Sequence, residues 1–100
     1  MENREIYKQK IEAQMHEWSA KLDVLKAKSE KLTLSKKVDM QRHVDALHDK
    51  LGVVKGKFDS LGEATEEQWE GVVTGLDHAW SEVKGAAEGA YDALKAHTKN

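Results

Sequence analysis

The chain has 100 residues, of which 39% are hydrophobic, 34% charged and 6% aromatic, with no proline and no cysteine. A chain of this size holds one domain. The missing cysteines exclude disulfide frameworks, thiol catalysis and Cys-ligated zinc, and a formal net charge of −2 gives no bulk case for nucleic-acid binding.

The N-terminal run Met1-Glu2-Asn3-Arg4-Glu5-Ile6-Tyr7-Lys8 lacks the apolar core of a signal peptide. No apolar run approaches the roughly 20 residues that span a bilayer, so a cytoplasmic location is the expectation. Asn3 is placed to cap a helix, with Glu5 in the first turn where the helix dipole favours acid.

From there the spacing predicts one amphipathic helix over residues 3–61. Alternating steps of four and three give the coiled-coil seam Ile11, Met15, Trp18, Leu22, Leu25, Ser29, Leu32 and Lys36. A second run follows: Met40, Val44, Leu47, Leu51, Val54, Phe58, Leu61. The two runs are out of phase by one residue, which two consecutive steps of four through Lys36 absorb. A break at Thr33-Leu34-Ser35 is the alternative. The absence of Gly and Pro between Met1 and Leu51 favours continuity, and a helix of that length reaches on the order of 90 Å. Ser29 and Lys36 are polar seam positions of the kind that select register and partner number. Lys8 with Glu12, Glu17 with Lys21, and Lys26 with Glu30 read as pairs on a solvated face. Gly52 and Gly56 fall off the seam.

Residues 62–65 read as a turn. Gly62 follows the last seam residue, where a left-handed glycine ends many helices. Thr65 with Gln68 fits a capping box, with Glu66 and Glu67 in the first turn of the next helix. That second helix spans 66–97 and repeats at eleven residues: Trp69, Trp80, Tyr91, each followed three residues later by Val72, Val83, Leu94. Its seam is Trp69, Val73, Leu76, Trp80, Val83, Ala87, Ala90 and Leu94. Val72, Ala79, Ala86 and Ala93 widen the apolar face, as in a bundle. Gly71, Gly75, Gly85 and Gly89 lie on the opposite face and cost about 3–4 kcal/mol in helix propensity together, so packing must hold this segment. The tail from His97 to Asn100 is expected to fray.

The expected fold is therefore all-α: one elongated helical domain, a long helix with a shorter antiparallel helix folded back as a hairpin. Val44, Leu47, Leu51, Val54, Phe58 and Leu61 would pack against Trp69, Val73, Leu76, Trp80, Val83 and Leu94. Residues 1–61 carry 13 Lys/Arg and 10 Asp/Glu, giving +3; residues 62–100 carry 3 and 8, giving −5. Opposite charge favours that docking, onto the same chain or a neighbour's. The second helix is too short to cover Ile11, Met15, Trp18, Leu22, Leu25 and Leu32. A bare stripe of that size calls for a second copy, hence a coiled-coil homodimer with three or four helices in cross-section.

No chemistry is evident. His16, His43, His48, His78 and His97 show no i, i+4 pair. Asp39 with His43, or Asp45 with His48, supplies two ligands, which is not a metal site. No nucleophile–base pair or phosphate loop stands out, so no enzyme, metal or cofactor is expected. The reading is a non-enzymatic structural or interaction protein whose partner is itself or an unidentified protein. The alternative is reversible binding to a lipid surface through the eleven-residue repeat, against which stands its acidic polar face.

The runs Arg4-Glu5-Ile6-Tyr7-Lys8-Gln9-Lys10-Ile11-Glu12-Ala13-Gln14, Glu17-Trp18 and Leu22-Asp23-Val24-Leu25-Lys26-Ala27-Lys28 resemble a family of small bacterial coiled-coil proteins. So do Trp69-Glu70-Gly71-Val72 and Ala79-Trp80-Ser81-Glu82-Val83-Lys84 in the tail. The resemblance implies a stress-response setting and no catalytic residues. The chain departs from that pattern at Leu32-Thr33-Leu34-Ser35. The tail is similar, more distantly, to apolipoprotein-type eleven-residue repeats.

Overall fold

A computed structural model describes residues 2–98, and the side chains of residues 4–98. Three helices follow one another: α1 (Glu2–Ser29), α2 (Leu34–Glu63) and α3 (Glu66–Thr98). The described chain is all-α, with no strand among the described residues.

The expected single helix over 3–61 is interrupted. α1 ends at Ser29, residues 30–33 turn the chain, and α2 starts at Leu34. At the exit, Lys31 and Leu32 donate backbone N–H bonds to Lys28 and Ser29 three residues back, a tightened last turn. Thr33 then leaves helical space, at φ −63°, ψ 161°. The segment holds no strong helix breaker, so packing explains the break. Once the chain turns, α1 lies back along α2, and Ile11, Leu22 and Leu25 drop to 3%, 5% and 0% exposure. Burying each such side chain stabilises by about 1.5–3 kcal/mol. Interrupting the helix forfeits a few backbone hydrogen bonds of roughly 1 kcal/mol each. Thr33 and Ser35, both modest helix formers, keep that cost low.

The whole chain measures 52 × 18 × 17 Å. A helix of 33 residues is about 50 Å long, so the three helices lie side by side over the length of the longest one. α1 and α3 run in the same direction and α2 against them.

The second connection is shorter than expected. α2 continues through Gly62 to Glu63, and no glycine among the described residues takes a positive φ. The expected left-handed glycine cap is therefore absent. Ala64 ends the helix in extended conformation, its N–H bonded to the carbonyl of Leu61. The capping box is present: Gln68 N–H donates to Thr65 Oγ1 at 3.3 Å, and Thr65 N–H donates to Gln68 Oε1 at 3.1 Å. At the chain start the backbone is already helical at Glu2, so Asn3 stands inside α1 rather than capping it.

α2 and α3 share the most extensive helix–helix contact, and small residues lie in it: Ala79, Ala87 and Ala90 are all buried. With them Met40, Val44, Leu47, Val54, Leu61, Leu76, Val83 and Leu94 form a continuous core, joined by Ile11, Leu22 and Leu25 of α1. The glycines of α3 stay outside it; a Cβ added at Gly71 or Gly85 would meet nothing within 4 Å.

Candidate interaction surface

The residues expected at an oligomer interface lie inside this one chain. Ile11, Leu22 and Leu25 are core, and Met15, Trp18 and Leu32 are half-buried against it. The premise that a second copy must cover this stripe is thus removed: α2 and α3 of the same chain cover it. The residues expected to pack in a hairpin belong to the core of this three-helix arrangement or lie against it. Val44, Leu47, Val54, Leu61, Leu76, Trp80, Val83 and Leu94 are buried, with Leu51, Phe58, Trp69 and Val73 packed around them. Lys36 leaves the seam for the helix end, where its Nζ donates to the His97 carbonyl at 2.9 Å. Ser29, the other polar seam residue, is 6% exposed and satisfies its hydroxyl locally, donating to the Leu25 carbonyl at 2.8 Å.

Polar ties between helices gather toward the two ends of the rod. At one end, Arg4 donates to the carbonyl of Ala64 at 2.9 Å and lies 4.2 Å from the Trp69 ring centre. Tyr7 meets Trp69 edge-on, centroids 5.9 Å apart at 72°, and its hydroxyl donates to Asp77 Oδ1 at 3.2 Å. The first two turns of α1 thereby clamp the α2–α3 connection. At the other end, His97 Nε2 and Asp39 Oδ2 are 2.7 Å apart. That pairing holds His97 in α3, where fraying was expected; residues 99 and 100 of that tail lie outside the described residues. Between the ends, Lys50 meets Glu82 at 3.3 Å. These long-range ties join residues 32–70 positions apart, and no local pattern in the chain announces them. On the surfaces of the helices, Glu17 and Lys21 pair at 3.1 Å as expected. Lys8 instead approaches Glu5, and Glu30 reaches across the break to Lys37 at 2.7 Å.

The charges at both ends are tuned by these contacts. Burial, then the negative charge of Asp77 and the hydrogen bond to it, push the Tyr7 phenol up to about 12 from 10.0. The neutral phenol is thus favoured in the fold. Its contribution is complete below pH 10 and is lost as pH rises through about 12. Absorbance titration should show a tyrosine ionising near that value and absent in Tyr7→Phe. The wild type should also lose stability between pH 10 and 12 more steeply than the variant. Asp39 is held below its ordinary 3.8 by the hydrogen bonds from His97 and then Arg42. Its tie is therefore present above that pH and lost as pH falls through the lowered value.

Between α1 and α3, which stand further apart than either does from α2, runs a groove of about 310 Å³. Tyr7, Trp18, Asp77, Trp80, Lys10 and Lys84 line it. The indole N–H of Trp80 has no partner among the described residues, but it is itself fully buried and out of a ligand's reach. A wider, more open groove of about 660 Å³ runs along α2 and α3 beside Lys57 and Gly75. The first brings the titratable groups of Tyr7, Lys10, Asp77 and Lys84 to its walls, and the second those of Lys57 and Glu63. Among the described residues no three His, Asp or Glu side chains are arranged to hold a metal, and no helix is long and apolar enough to cross a membrane.

Exposed apolar side chains include Ile6 at 61% in the first turns of α1 and Val53 at 44% in α2, and a group near the break. Leu34 is 78% exposed and Val38, one turn on, 60%; Val24, late in α1, is 51% exposed. Comparison with protein-family models, with curated proteins and with solved structures finds no match for this chain.

Proposed function

We propose that this protein is a non-enzymatic structural or interaction protein that works by pairing amphipathic helices, forming a homodimer through them. The observation that supports this most is the exposed apolar surface beside a break with no helix-breaking residue in it. Leu34 and Val38 stand four residues apart on one face of α2, where a packed neighbour would cover both. The polar ties of α1 support it too: both sit at its first two turns, and the rest of the helix is held by apolar packing that another helix of the same pattern can supply. The resemblance to small coiled-coil proteins adds a stress-related setting in a bacterial cytoplasm.

A lipid-surface role is the competing reading. It needs Trp69, Trp80 and Tyr91 on a common face turned to the bilayer. Trp80 is 7% exposed and Tyr91 38%, a rotation consistent with the drift of about 20° per eleven residues of a straight helix. The polar face of α3 has seven acidic residues and two lysines, the wrong sign for anionic headgroups. Sedimentation equilibrium of the full chain, with flotation on phosphatidylglycerol and phosphatidylcholine vesicles, separates the two. The expected result is a concentration-dependent dimer that stays off vesicles. A chain monomeric at every concentration that floats with vesicles would replace this reading with the lipid one.

A further inference from the structure

We infer that two copies of this chain exchange their α1 helices by straightening residues 30–33, giving a dimer in which each chain has one continuous helix from Glu2 to Glu63. This rests on the interaction reading and names its partner, a second copy, and its mechanism.

Four observations carry it. First, Glu30, Lys31, Leu32 and Thr33 include no glycine or proline, and no described non-glycine residue has a positive φ. Nothing in the segment resists the helical conformation. Second, the break is weakly capped. Thr33 makes no side-chain capping bond, and the first turn of α2 has no acidic residue. It carries Lys36 and Lys37 instead, which the helix dipole disfavours at an N-terminus. Straightening removes this helix end and satisfies its orphan N–H groups. Third, Leu25, Leu32, Lys36 and Met40 follow each other at steps of seven, four and four, so the apolar stripe runs through the straightened segment. Fourth, α1 leaves behind a trough on α2 and α3 that only its own pattern fills. Leu22 and Leu25 are fully or almost fully buried there, and Arg4 and Tyr7 bond Ala64 and Asp77 across the rod. A straightened chain exposes both the trough and the stripe. A second copy supplies the complement of each, re-forming the packing of α1 on α2 and α3 between chains, as in domain swapping, while the Glu30–Lys37 pair across the break is given up.

Leu34→Pro separates the two states. Leu34 is the first residue of α2, where proline is favoured, and Thr33 before it already has the extended ψ that proline requires. The bent monomer therefore accepts the substitution. A continuous helix does not: an interior proline disfavours it by roughly a hundredfold for each hinge, on the order of ten-thousandfold for a symmetric dimer. Thr33→Ala works the other way. The monomer loses no capping bond, and the straight form gains about threefold for each hinge, roughly tenfold in dimer affinity. Each protein is unfolded and refolded at high concentration, so that exchange reaches equilibrium, and its dimer constant is measured by sedimentation equilibrium with circular dichroism as the check on folding. Wild-type dimer that is kept in the side-chain control Leu34→Ala, lost in Leu34→Pro and strengthened in Thr33→Ala supports exchange; a dimer lost equally in Leu34→Ala overturns it in favour of pairing through the exposed Leu34 face. A dimer unchanged by both substitutions overturns exchange while leaving self-association in place; a wild type that never dimerises overturns both. Should Leu34→Pro fail to fold, Thr33→Ala decides: no tightening overturns the proposal.

Discussion

Leu25→Ala should lower the unfolding free energy by about 3 kcal/mol, within the roughly 2–5 kcal/mol range of leucine truncations in packed cores. Leu25 is 0% exposed within a single chain. The removed methyl groups leave a void among helices that all belong to that chain. Below the concentrations at which a dimer forms, the loss should therefore not depend on protein concentration. This is where the fold differs from a pair of bare arms covered by a second copy. In that arrangement the penalty would fall on association, and the melting temperature of the variant would depend on concentration far more steeply than the unfolding of a monomer allows. Chemical denaturation of wild type and variant at two widely separated concentrations reads the difference.

The second large effect is positional. Proline at residue 34 should leave the monomer's stability unchanged or raise its melting point by a few degrees, because the substitution suits the first helical position and restricts the unfolded chain. Proline at residue 46, twelve positions on and also exposed, should cost about 3 kcal/mol or more. In a domain of this size that is a fall of more than about 10 °C. Ala46 stands inside α2, where its N–H belongs to the helical ladder. A continuous helix through both positions would treat the two substitutions alike. The contrast between them thus locates the break independently of any shape measurement.

The second helix was readable because its signals are local. The Thr65–Gln68 capping box, the eleven-residue spacing of Trp69, Trp80 and Tyr91, and the alanines beside them all act within a few turns, and α3 spans Glu66–Thr98 much as they imply. The core residues were equally legible, since Leu25, Val54, Leu61, Leu76 and Val83 are buried in any helical arrangement that turns their stripe inward. The partner covering the stripe was not. The choice between one long helix and two short ones turns on whether α1 gains more by packing on α2 and α3 than the helix loses at residues 30–33. That balance lies in contacts between distant parts of the chain. Gly62 misled for a related reason: a glycine near a helix end permits a left-handed cap without requiring one, and here Ala64 ends the helix in extended conformation. No local pattern signals the Arg4–Trp69, Tyr7–Asp77 and Asp39–His97 ties, because each joins residues more than 50 positions apart.

The folded-back α1 also changes what self-association means for this protein. A chain that seals its own seam has no need of a partner to stay folded. Under the proposed exchange, a dimer is a state reached by opening a joint, and it would depend on concentration and on single residues at positions 33 and 34. The polar ties that hold α1 in place sit at its first two turns, far from that joint, so the proposed exchange requires the Arg4–Ala64 and Tyr7–Asp77 bonds to break.

Small-angle X-ray scattering on the dilute monomer fraction tests the break at residues 30–33 most directly. The account predicts a maximum dimension close to the 52 Å long axis plus a side-chain shell, with a radius of gyration near the 15.9 Å of the backbone. A monomer with a maximum dimension on the order of 90 Å, the length of one unbroken helix through residues 2–63, would contradict it.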